Sequence, residues 1–265
     1  MFKVAYVQTN PVFGDKMKNI EKASEMIIQS EYANLYVLPE LFSTGYAFVD
    51  KKEVHLLAEE IPEGDTTQRL MNLAKRKDTH IVAGLAEKDK SRIFNSAIAV
   101  GPEGLFMKYR KIHLFYKEKN WFDPGDIDFR ISTIEDARIG IIICFDWIFP
   151  EAIRTLALKG ADLICHPSNL LFPYAQRAML TRSVENRVYT VTANRIGIED
   201  RNGNKFNFTG MSQITSPKME LLMRASESKE EVGISEIDVR LSRDKAITPL
   251  NDIFEDRKTA FYSIS

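Results

Sequence analysis

Three residues able to do chemistry each follow a stretch of chain that should be buried or paired in a sheet. Glu40 comes just after an aliphatic run, and Cys144 follows the nearly pure isoleucine run 139–143. Lys111 lies in the basic, strand-like stretch 107–115, on the opposite face from Arg110 by strand alternation. Open α/β sheets build their sites where strands end, so a carboxylate, an ammonium and a thiol there could act as base, charge stabiliser and nucleophile.

Each of these residues also has an ordinary structural interpretation. A carboxylate such as Glu40 can cap a helix, and basic residues such as Lys108 and Arg110 are expected on a solvated strand face. Free cysteine is often buried as a small hydrophobe, and we adopt that interpretation for Cys165, which continues a Leu–Ile run. Cys144 differs, because the chain switches abruptly to polar residues and a turn, as in a nucleophile elbow.

The elements around these residues follow an α/β pattern. A strand, an amphipathic helix begun by Asp15 and a second strand open the chain, and three strands predicted to be antiparallel neighbours follow a second helix. The periodicity predicts strands at 3–8, 35–38, 81–85, 94–100, 105–109, 139–143, 163–165, 189–193, 212–215, 221–223 and 232–237. It predicts helices at 17–28, from Thr66 or Thr67 to Lys77, at 150–158 and at 175–186.

The bulk composition excludes several classes of protein. The chain has 265 residues, a length at which we expect one domain over 1–265. Its formal charge is -1 and its basic residues are scattered, so we expect neither nucleic acid nor a membrane as partner. Its only cysteines, Cys144 and Cys165, predict no disulfide framework, no metal site and a reducing, cytoplasmic location. The tail 248–265 shows no clear element and is expected to pack on a partner subunit.

Taken together, the three segments resemble the nitrilase superfamily of carbon–nitrogen hydrolases. The resemblance runs from about residue 3 to about residue 237. The motifs that carry it lie at 38–40, 109–114 and 144–151, with supporting pieces at 95–97, 124–126, 160–162 and 166–169. It implies a four-layer α-β-β-α sandwich of two mixed six-stranded sheets, which pairs through a helical face into a homodimer or a higher homo-oligomer.

The resemblance also implies a role for each residue. Glu40 is the general base, Cys144 the nucleophile and Lys111 the cation, which forms an oxyanion hole with the backbone N–H of Phe145. A thiol with a pKa near ~8.5 is mostly protonated at neutral pH, so a neighbouring carboxylate must take its proton as it attacks. Family members often carry a second glutamate after the lysine, and Glu118 is the nearest match. No cofactor is implied.

The substrate is less sharply indicated. Tyr46, Tyr116, Trp147 and Asn169 lie in segments expected near the pocket, and their character suggests a small, partly apolar substrate. Asp146 stands where true nitrilases more often carry glutamate, which favours a small linear amide or N-carbamoyl amine, cleaved through a cysteine thioester with release of ammonia. The alternatives are a nitrilase acting on small aliphatic nitriles and a non-catalytic binding module on the same fold.

A different catalytic scheme would pair the cysteine with a histidine. His80, His113 and His166 are the candidates for such a base, because histidine is the usual partner of a catalytic cysteine. We interpret His113 and His166 as supporting or core residues. A Glu–Lys–Cys enzyme is then expected to survive the loss of either histidine better than the loss of Glu40.

Overall fold

A computed structural model of the chain describes residues 1–262. Its strands, in chain order, are β1 (Phe2–Gln8), β2 (Leu35–Val37), β3 (His80–Asp89), β4 (Arg92–Gly101), β5 (Gly104–Arg110), β6 (Ile131–Ile134), β7 (Ala137–Ile141), β8 (Leu163–Pro167), β9 (Tyr189–Ala193), β10 (Ile198–Arg201), β11 (Asn204–Asn207), β12 (Gln213–Thr215), β13 (Leu221–Arg224), β14 (Glu231–Ile237), β15 (Ala246–Thr248) and β16 (Asn251–Asp252). The helices are α1 (Lys16–Gln29), α2 (Lys51–Leu57), α3 (Asp65–Lys77), α4 (Glu118–Trp121), α5 (Pro150–Leu158) and α6 (Ala175–Asn186), with short 3-10 helices at Cys144–Ile148, Val239–Ser242 and Thr259–Phe261.

Twelve of the strands form two mixed sheets. The first sheet has the order β14-β1-β2-β3-β4-β5, and the second has the order β13-β12-β9-β8-β7-β6. The pairs β1–β2 and β2–β3 are parallel, as are β7–β8 and β8–β9, and the remaining pairs in these sheets are antiparallel. The predicted antiparallel neighbourhood of β3, β4 and β5 is therefore confirmed.

Side-chain alternation explains why the two sheets face each other. Val4 and Tyr6 of β1 belong to the large core that also contains the isoleucines of β7, so this face of the first sheet packs on the second. Ala5 and Val7 point the other way and pack with residues of α1 and α3. Because both faces of β1 are covered, the strand reads as a continuous apolar run.

Helices cover the outer face of each sheet and complete the predicted four layers. Asp15 begins α1 by accepting a hydrogen bond from the backbone N–H of Lys18 at 3.3 Å, and Pro150 opens α5 in the position where proline suits a helix. The helix α5 approaches β7 closely, since a Cβ on Gly140 would lie 2.9 Å from the side chain of Leu156. In the part of the chain that the structure describes, no helix has the length and apolar character needed to cross a bilayer.

Two expectations about individual segments are wrong. The predicted tail 248–265 does have elements: a short hairpin that begins with β15 at Ala246 continues into it through β16, and a 3-10 helix lies within it. These elements are too short to leave a periodic pattern in the sequence, and residues 263–265 lie outside the described residues. Arg110 is not on a solvated face, because its guanidinium is buried against Glu87 at 2.5 Å and Asp126 at 2.9 Å. Lys108 also contacts Glu87, at 2.6 Å.

Candidate active site

The chain directions bring the predicted residues to one end of the two sheets. Glu40 follows the carboxyl end of β2, and Lys111 comes directly after β5, which runs in the same direction as β3 through two antiparallel pairings. Cys144 follows the carboxyl end of β7 in the second sheet. All three side chains are buried, with exposures of 0%, 1% and 7% respectively. Strand ends of the two facing sheets thus meet at one enclosed site.

The Glu40 carboxylate has one occupied and one free oxygen. Its Oε1 accepts hydrogen bonds from Lys111 Nζ at 2.6 Å and from Asn95 Nδ2 at 2.7 Å. Its Oε2 is buried and has no hydrogen-bond partner anywhere in residues 1–262. The neighbouring strand must carry glycine here, because a Cβ on Gly84 would lie 2.5 Å from the Cα of Glu40. The site therefore holds a carboxylate with an oxygen available to accept a proton.

The Lys111 ammonium lies between two carboxylates. Besides Glu40, it contacts Glu118 at 2.7 Å, and Glu118 also accepts a hydrogen bond from the Tyr46 hydroxyl at 2.8 Å. Burial alone would lower the pKa of Lys111, but the charges of Glu118 and Glu40 outweigh it and raise the pKa above its ordinary value. Burial raises the pKa of Glu118 to about 7, against the opposing effect of Lys111 and with a further upward contribution from Glu40. The lysine is therefore a fixed cation, and Glu118 is the group that titrates near neutral pH.

Backbone contacts fix the position of Lys111. Its N–H donates to the Asn95 carbonyl at 2.8 Å, and its own carbonyl accepts from the N–H of Gly125 at 2.9 Å. A Cβ on Gly125 would lie 2.2 Å from the Arg110 carbonyl oxygen, so only glycine allows this approach. The 95–97 and 124–126 segments noted in the sequence thus hold the lysine from both sides.

Cys144 sits at a sharp turn between β7 and α5. Its backbone φ is +40°, in the left-handed region that non-glycine residues seldom occupy, and such conformations are typical of residues held in place for function. Burial raises the pKa of the thiol well above its ordinary value, and the Glu40 carboxylate raises it further, while Lys111 and the backbone N–H of Asn169 act in the opposite direction. The thiol is therefore protonated at rest and needs a base before it can attack.

Asp146 holds this turn. One of its oxygens accepts from the backbone N–H of Ile143 and from the Tyr109 hydroxyl, both at 2.8 Å, and the other contacts His113 Nδ1 at 2.8 Å. The His113 ring in turn stacks on Phe149, with ring centroids 3.7 Å apart. These bonds tie the turn that carries the thiol to the end of the lysine strand, so Asp146 is a structural anchor.

His166 lies directly behind the cysteine but is already fully engaged. Its Nε2 lies 2.9 Å from the Cys144 carbonyl oxygen, which can only accept, so Nε2 carries the proton. Its Nδ1 lies 3.1 Å from the Thr192 hydroxyl, which must then donate to it. Burial lowers the pKa of His166 to about 4, so the ring is neutral at physiological pH. Neither nitrogen is free to act as base, which disfavours the Cys–His scheme for this residue.

The other two candidate histidines, His80 and His113, are also placed away from that role. His113 is bound to Asp146 through Nδ1, as described above. His80 opens β3, so it lies at the end of the sheet opposite to Glu40, and its Nδ1 is 3.2 Å from the Asn34 carbonyl oxygen.

Two small clefts open beside the buried charges. The first, which we call the thiol cleft, is lined by Cys144, Phe145, Trp147, Asn169 and Phe172, among others. Asn169 is only 2% exposed, yet neither its side-chain nitrogen nor its side-chain oxygen has a hydrogen-bond partner within the described residues. A buried amide costs free energy unless something pairs with it, so a bound molecule is its natural partner.

The second cleft, the tyrosine cleft, lies on the far side of Glu118. Tyr46, Tyr116, Glu118 and Phe206 are among its lining residues, and Tyr116 is largely exposed at its edge. The sequence-predicted substrate residues are therefore divided, with Trp147 and Asn169 beside the thiol and with Tyr46 and Tyr116 beside Glu118. Across residues 1–262, no group of three or more His, Cys, Asp or Glu side chains is arranged to hold a metal ion.

The comparison with known families decides what this site is. Residues 3–246 match the family model described as carbon–nitrogen hydrolase. The chain belongs to the carbon–nitrogen hydrolase family. It is 54% identical to a protein named nitrilase from Pyrococcus abyssi, over 99% of both chains, and 32% identical to an (R)-stereoselective amidase from Pseudomonas sp, over 97% of this chain and 91% of that one. A carbon–nitrogen hydrolase from Helicobacter pylori has a similar structure, with a TM-score of 0.89, 26% identity and coverage of 98% of this chain and 96% of that one.

Several contacts of this carbon–nitrogen hydrolase have no signal in the sequence. Asn95 stands out there only as part of a motif, and no local pattern indicates that its amide donates to Glu40. The sequence interpretation of Asp146 concerns substrate class, and the structure adds that its hydrogen bonds tie it to the turn and to Tyr109. Tyr46 is expected near the substrate, and the structure adds that its hydroxyl is hydrogen-bonded to Glu118, 72 residues away in the chain. Contacts at such separation depend on the packing of the sheets and leave no local pattern.

Proposed function

We propose that this hydrolase cleaves the carbon–nitrogen bond of a small linear amide or N-carbamoyl amine, with Cys144 as nucleophile, Glu40 as base and Lys111 as charge stabiliser. The free, buried Oε2 of Glu40 is the observation that carries this proposal. A carboxylate whose other oxygen is held by Asn95 and Lys111 has a fixed orientation, so its free oxygen serves as an oriented base.

The first half of the reaction forms a thioester. As the Cys144 sulfur attacks the carbonyl carbon, its proton passes to Glu40 Oε2, and negative charge develops on the carbonyl oxygen. The Lys111 ammonium and the backbone N–H of Phe145 stabilise that oxygen, since the first N–H groups of a helix have no partner within it. Glu40 then gives the proton to the departing nitrogen, the carbon–nitrogen bond breaks, and ammonia leaves when the substrate is a primary amide.

In the second half of the reaction, water hydrolyses the thioester and the proton returns to the thiol. Glu40, again a carboxylate, takes a proton from a water molecule that attacks the thioester carbon. The carbon–sulfur bond breaks, the acid product leaves, and the proton returns to the sulfur of Cys144. Lys111 keeps its positive charge throughout, because two carboxylates hold its pKa above the ordinary value.

Asn169 supports an amide or carbamoyl group as substrate. Beside the thiol, its buried side chain offers an N–H₂ group and a carbonyl oxygen, neither of which has a partner among the described residues. A primary amide or carbamoyl group presents an N–H donor and a carbonyl acceptor and would satisfy both, whereas a nitrile nitrogen only accepts. The aromatic walls of the thiol cleft, Phe145, Trp147 and Phe172, suit a small substrate with an apolar part.

A nitrile is the second candidate substrate class. The 54% identity to a protein named nitrilase, over nearly the full length of both chains, supports it. The same thiol could add to a nitrile carbon, and two molecules of water would then give the acid and ammonia. The two substrate classes therefore share Cys144 and Glu40 and differ in what Asn169 binds.

Ammonia release from a panel of small compounds tests the proposal. The panel contains aliphatic amides, N-carbamoyl amines, N-carbamoyl amino acids and nitriles, each assayed with the wild type and with Cys144→Ala. We expect ammonia from an amide or a carbamoyl amine with the wild type and none with the variant. Release from nitriles alone would replace the amide proposal with the nitrile one. No release from any compound, by a folded protein whose thiol resists alkylating reagents, would leave the binding module as the better account.

We also propose that the chain forms one domain over 1–265 and works as a homodimer or a higher homo-oligomer in the cytoplasm. Apolar side chains of the tail support self-association, because Leu250 is 89% exposed and Phe261 is 84% exposed. Both cysteines are free thiols, which fits a reducing compartment. Sedimentation of the purified protein tests the assembly: a monomer at micromolar concentration would contradict it.

A further inference from the structure

A buried ion pair lies next to the segment that carries Tyr46. Arg195 and Glu199 are 1% and 6% exposed, and the Arg195 Nη1 group forms a salt bridge with Glu199. The Arg195 guanidinium also lies over the ring of Phe208, 4.0 Å from its centroid, and donates to the Pro11 carbonyl at 3.2 Å. Neither charge belongs to the proposed catalytic groups. Burying two charges costs free energy unless their mutual attraction and further hydrogen bonds compensate for the lost hydration, so the partners of this pair define what it holds in place.

The carboxylate of this pair holds the backbone of the Tyr46 segment. Glu199 Oε2 accepts hydrogen bonds from the N–H of Tyr46 at 3.0 Å and from the N–H of Ala47 at 2.6 Å. The chain reaches this position through Gly45, whose φ is +82° and whose Cβ, if present, would lie 2.9 Å from Glu199 Oε1. Two backbone donors on one buried carboxylate fix the segment in both position and direction.

The ring of Tyr46 is fixed as well. It makes edge-to-face contacts with Phe206 and Phe208, at centroid distances of 5.3 and 5.9 Å. Phe208 is the ring that Arg195 covers, so the same ion pair supports Tyr46 through its backbone and through its side chain. The Tyr46 hydroxyl then has one direction in which to donate, toward Glu118.

We infer that Glu199 is a positioning residue for catalysis: by clamping the backbone of Tyr46, it aims the Tyr46 hydroxyl at Glu118 and so holds Glu118 against the Lys111 ammonium. The contacts form an unbroken series, from Glu199 to Tyr46, from Tyr46 to Glu118 at 2.8 Å, and from Glu118 to Lys111 at 2.7 Å. The inference rests on the proposed function, because it assigns Lys111 the role of charge stabiliser.

A double-mutant cycle on steady-state kinetics tests the inference. Glu199→Gln keeps only one acceptor oxygen, which cannot serve both the Arg195 guanidinium and the two backbone donors, because the N–H₂ group accepts from neither. Tyr46→Phe removes the hydroxyl while leaving the clamp. We expect each single variant to lose about tenfold in kcat, the size of one lost hydrogen bond, with KM changed less than about twofold. The double variant should lose no more than the worse single variant, because both changes break the same series of contacts.

The matched control is Glu59→Gln. Glu59 is also a buried carboxylate that pairs with a basic side chain, Lys16 at 2.7 Å, and accepts a backbone N–H, that of Thr66 at 2.8 Å. It hydrogen-bonds to neither Tyr46 nor Ala47, so its replacement should leave kcat and KM at the wild-type values. A loss of kcat in this variant equal to that of Glu199→Gln would show that weakening any buried carboxylate pair has the effect, and would overturn the inference.

A second variant covers the case in which Glu199→Gln leaves Arg195 unpaired and the protein does not fold. Arg195→Met combined with Glu199→Met removes both charges, and such paired replacements are often tolerated. It should show the same loss of kcat with a cooperative thermal transition. Wild-type kcat in this variant, or losses that multiply in the cycle, would overturn the inference. Either result leaves the proposed function standing if Cys144→Ala is inactive, whereas an inactive wild type would refute the proposed function itself.

Discussion

The most informative perturbation is the removal of the charge at Glu118. Its carboxylate faces the Lys111 ammonium, the Glu40 carboxylate and the Tyr46 hydroxyl, and burial raises its pKa to about 7. When Glu118 is ionised, its negative charge partly cancels the effect of the Lys111 positive charge on Glu40. Glu40 then accepts the proton of the Cys144 thiol more readily. When Glu118 is protonated, the only carboxylate charge beside the Lys111 ammonium is that of Glu40, and proton transfer from the thiol to Glu40 becomes less favourable.

The pH dependence of kcat/KM follows from this arrangement. Only the form with ionised Glu118 is fully active, so activity should rise with pH through about 7 and fall to about one-tenth of its maximum one unit below the midpoint. Glu118→Gln has no charge to titrate, so its profile should lack the limb near pH 7. Its activity on the plateau should be about ten- to a hundredfold below that of the wild type, because Glu40 then works without the neighbouring negative charge.

The assay is initial-rate ammonia release at low substrate concentration between pH 5 and pH 9, in buffers of constant ionic strength. Glu53→Gln is the matched control, because Arg201 hydrogen bonds and charge hold the pKa of Glu53 below its ordinary value despite partial burial, and it does not titrate in this range. A limb near pH 7 that persists unchanged in Glu118→Gln would refute the reasoning. A wild-type profile that is flat from pH 6 to pH 8 would refute it as well.

Three further variants probe the surroundings of the thiol. His166→Asn should keep a hydrogen-bond donor to the Cys144 carbonyl, so its kcat should fall by less than about tenfold. Glu40→Gln should lower kcat by about 10²- to 10⁴-fold. A larger loss for His166→Asn than for Glu40→Gln would restore the Cys–His scheme. Asn169→Leu removes a buried amide that has no partner among the described residues, so thermal melts should show an unfolding free energy about 1 kcal/mol higher. The same variant should raise KM for amides, and an unchanged KM would contradict the role given to Asn169. Gly84→Ala should displace Glu40, lower the unfolding free energy by about 1–3 kcal/mol and remove most of the activity. An active, stable variant would show that the backbone around Glu40 can move to accept the added methyl group.

Much of the framework was predictable because it depends on local pattern. The isoleucine run before Cys144 indicated a buried strand, and the abrupt change to polar residues and Pro150 indicated the turn on which the thiol is held. Strand alternation placed Lys111 on the side away from Arg110, and the structure has Lys111 buried against Glu40. Signals of this kind need only neighbouring residues and the periods of strand and helix.

The remaining features depend on contacts between distant parts of the chain. Basic strand residues usually lie in solvent, which is the expectation for Arg110, but the carboxylates of Glu87, Asp89 and Asp126 surround it with compensating charge. Whether a cation is buried depends on which acidic residues lie beside it, and a single sequence does not show which residues those are. The hairpin of β10 and β11, which carries Glu199, was not predicted, because four-residue strands of polar composition have little hydrophobic alternation.

The central claim is that the reaction passes through a thioester on Cys144. Intact-protein and peptide mass spectrometry after rapid acid quench, during turnover of the best substrate in the ammonia panel, tests it most directly. The account predicts a mass increase equal to the acyl group, located on the peptide that contains Cys144, formed as fast as ammonia is released and absent from Cys144→Ala. Ammonia release that continues in Cys144→Ala, with no acyl group on the wild-type thiol, would contradict it.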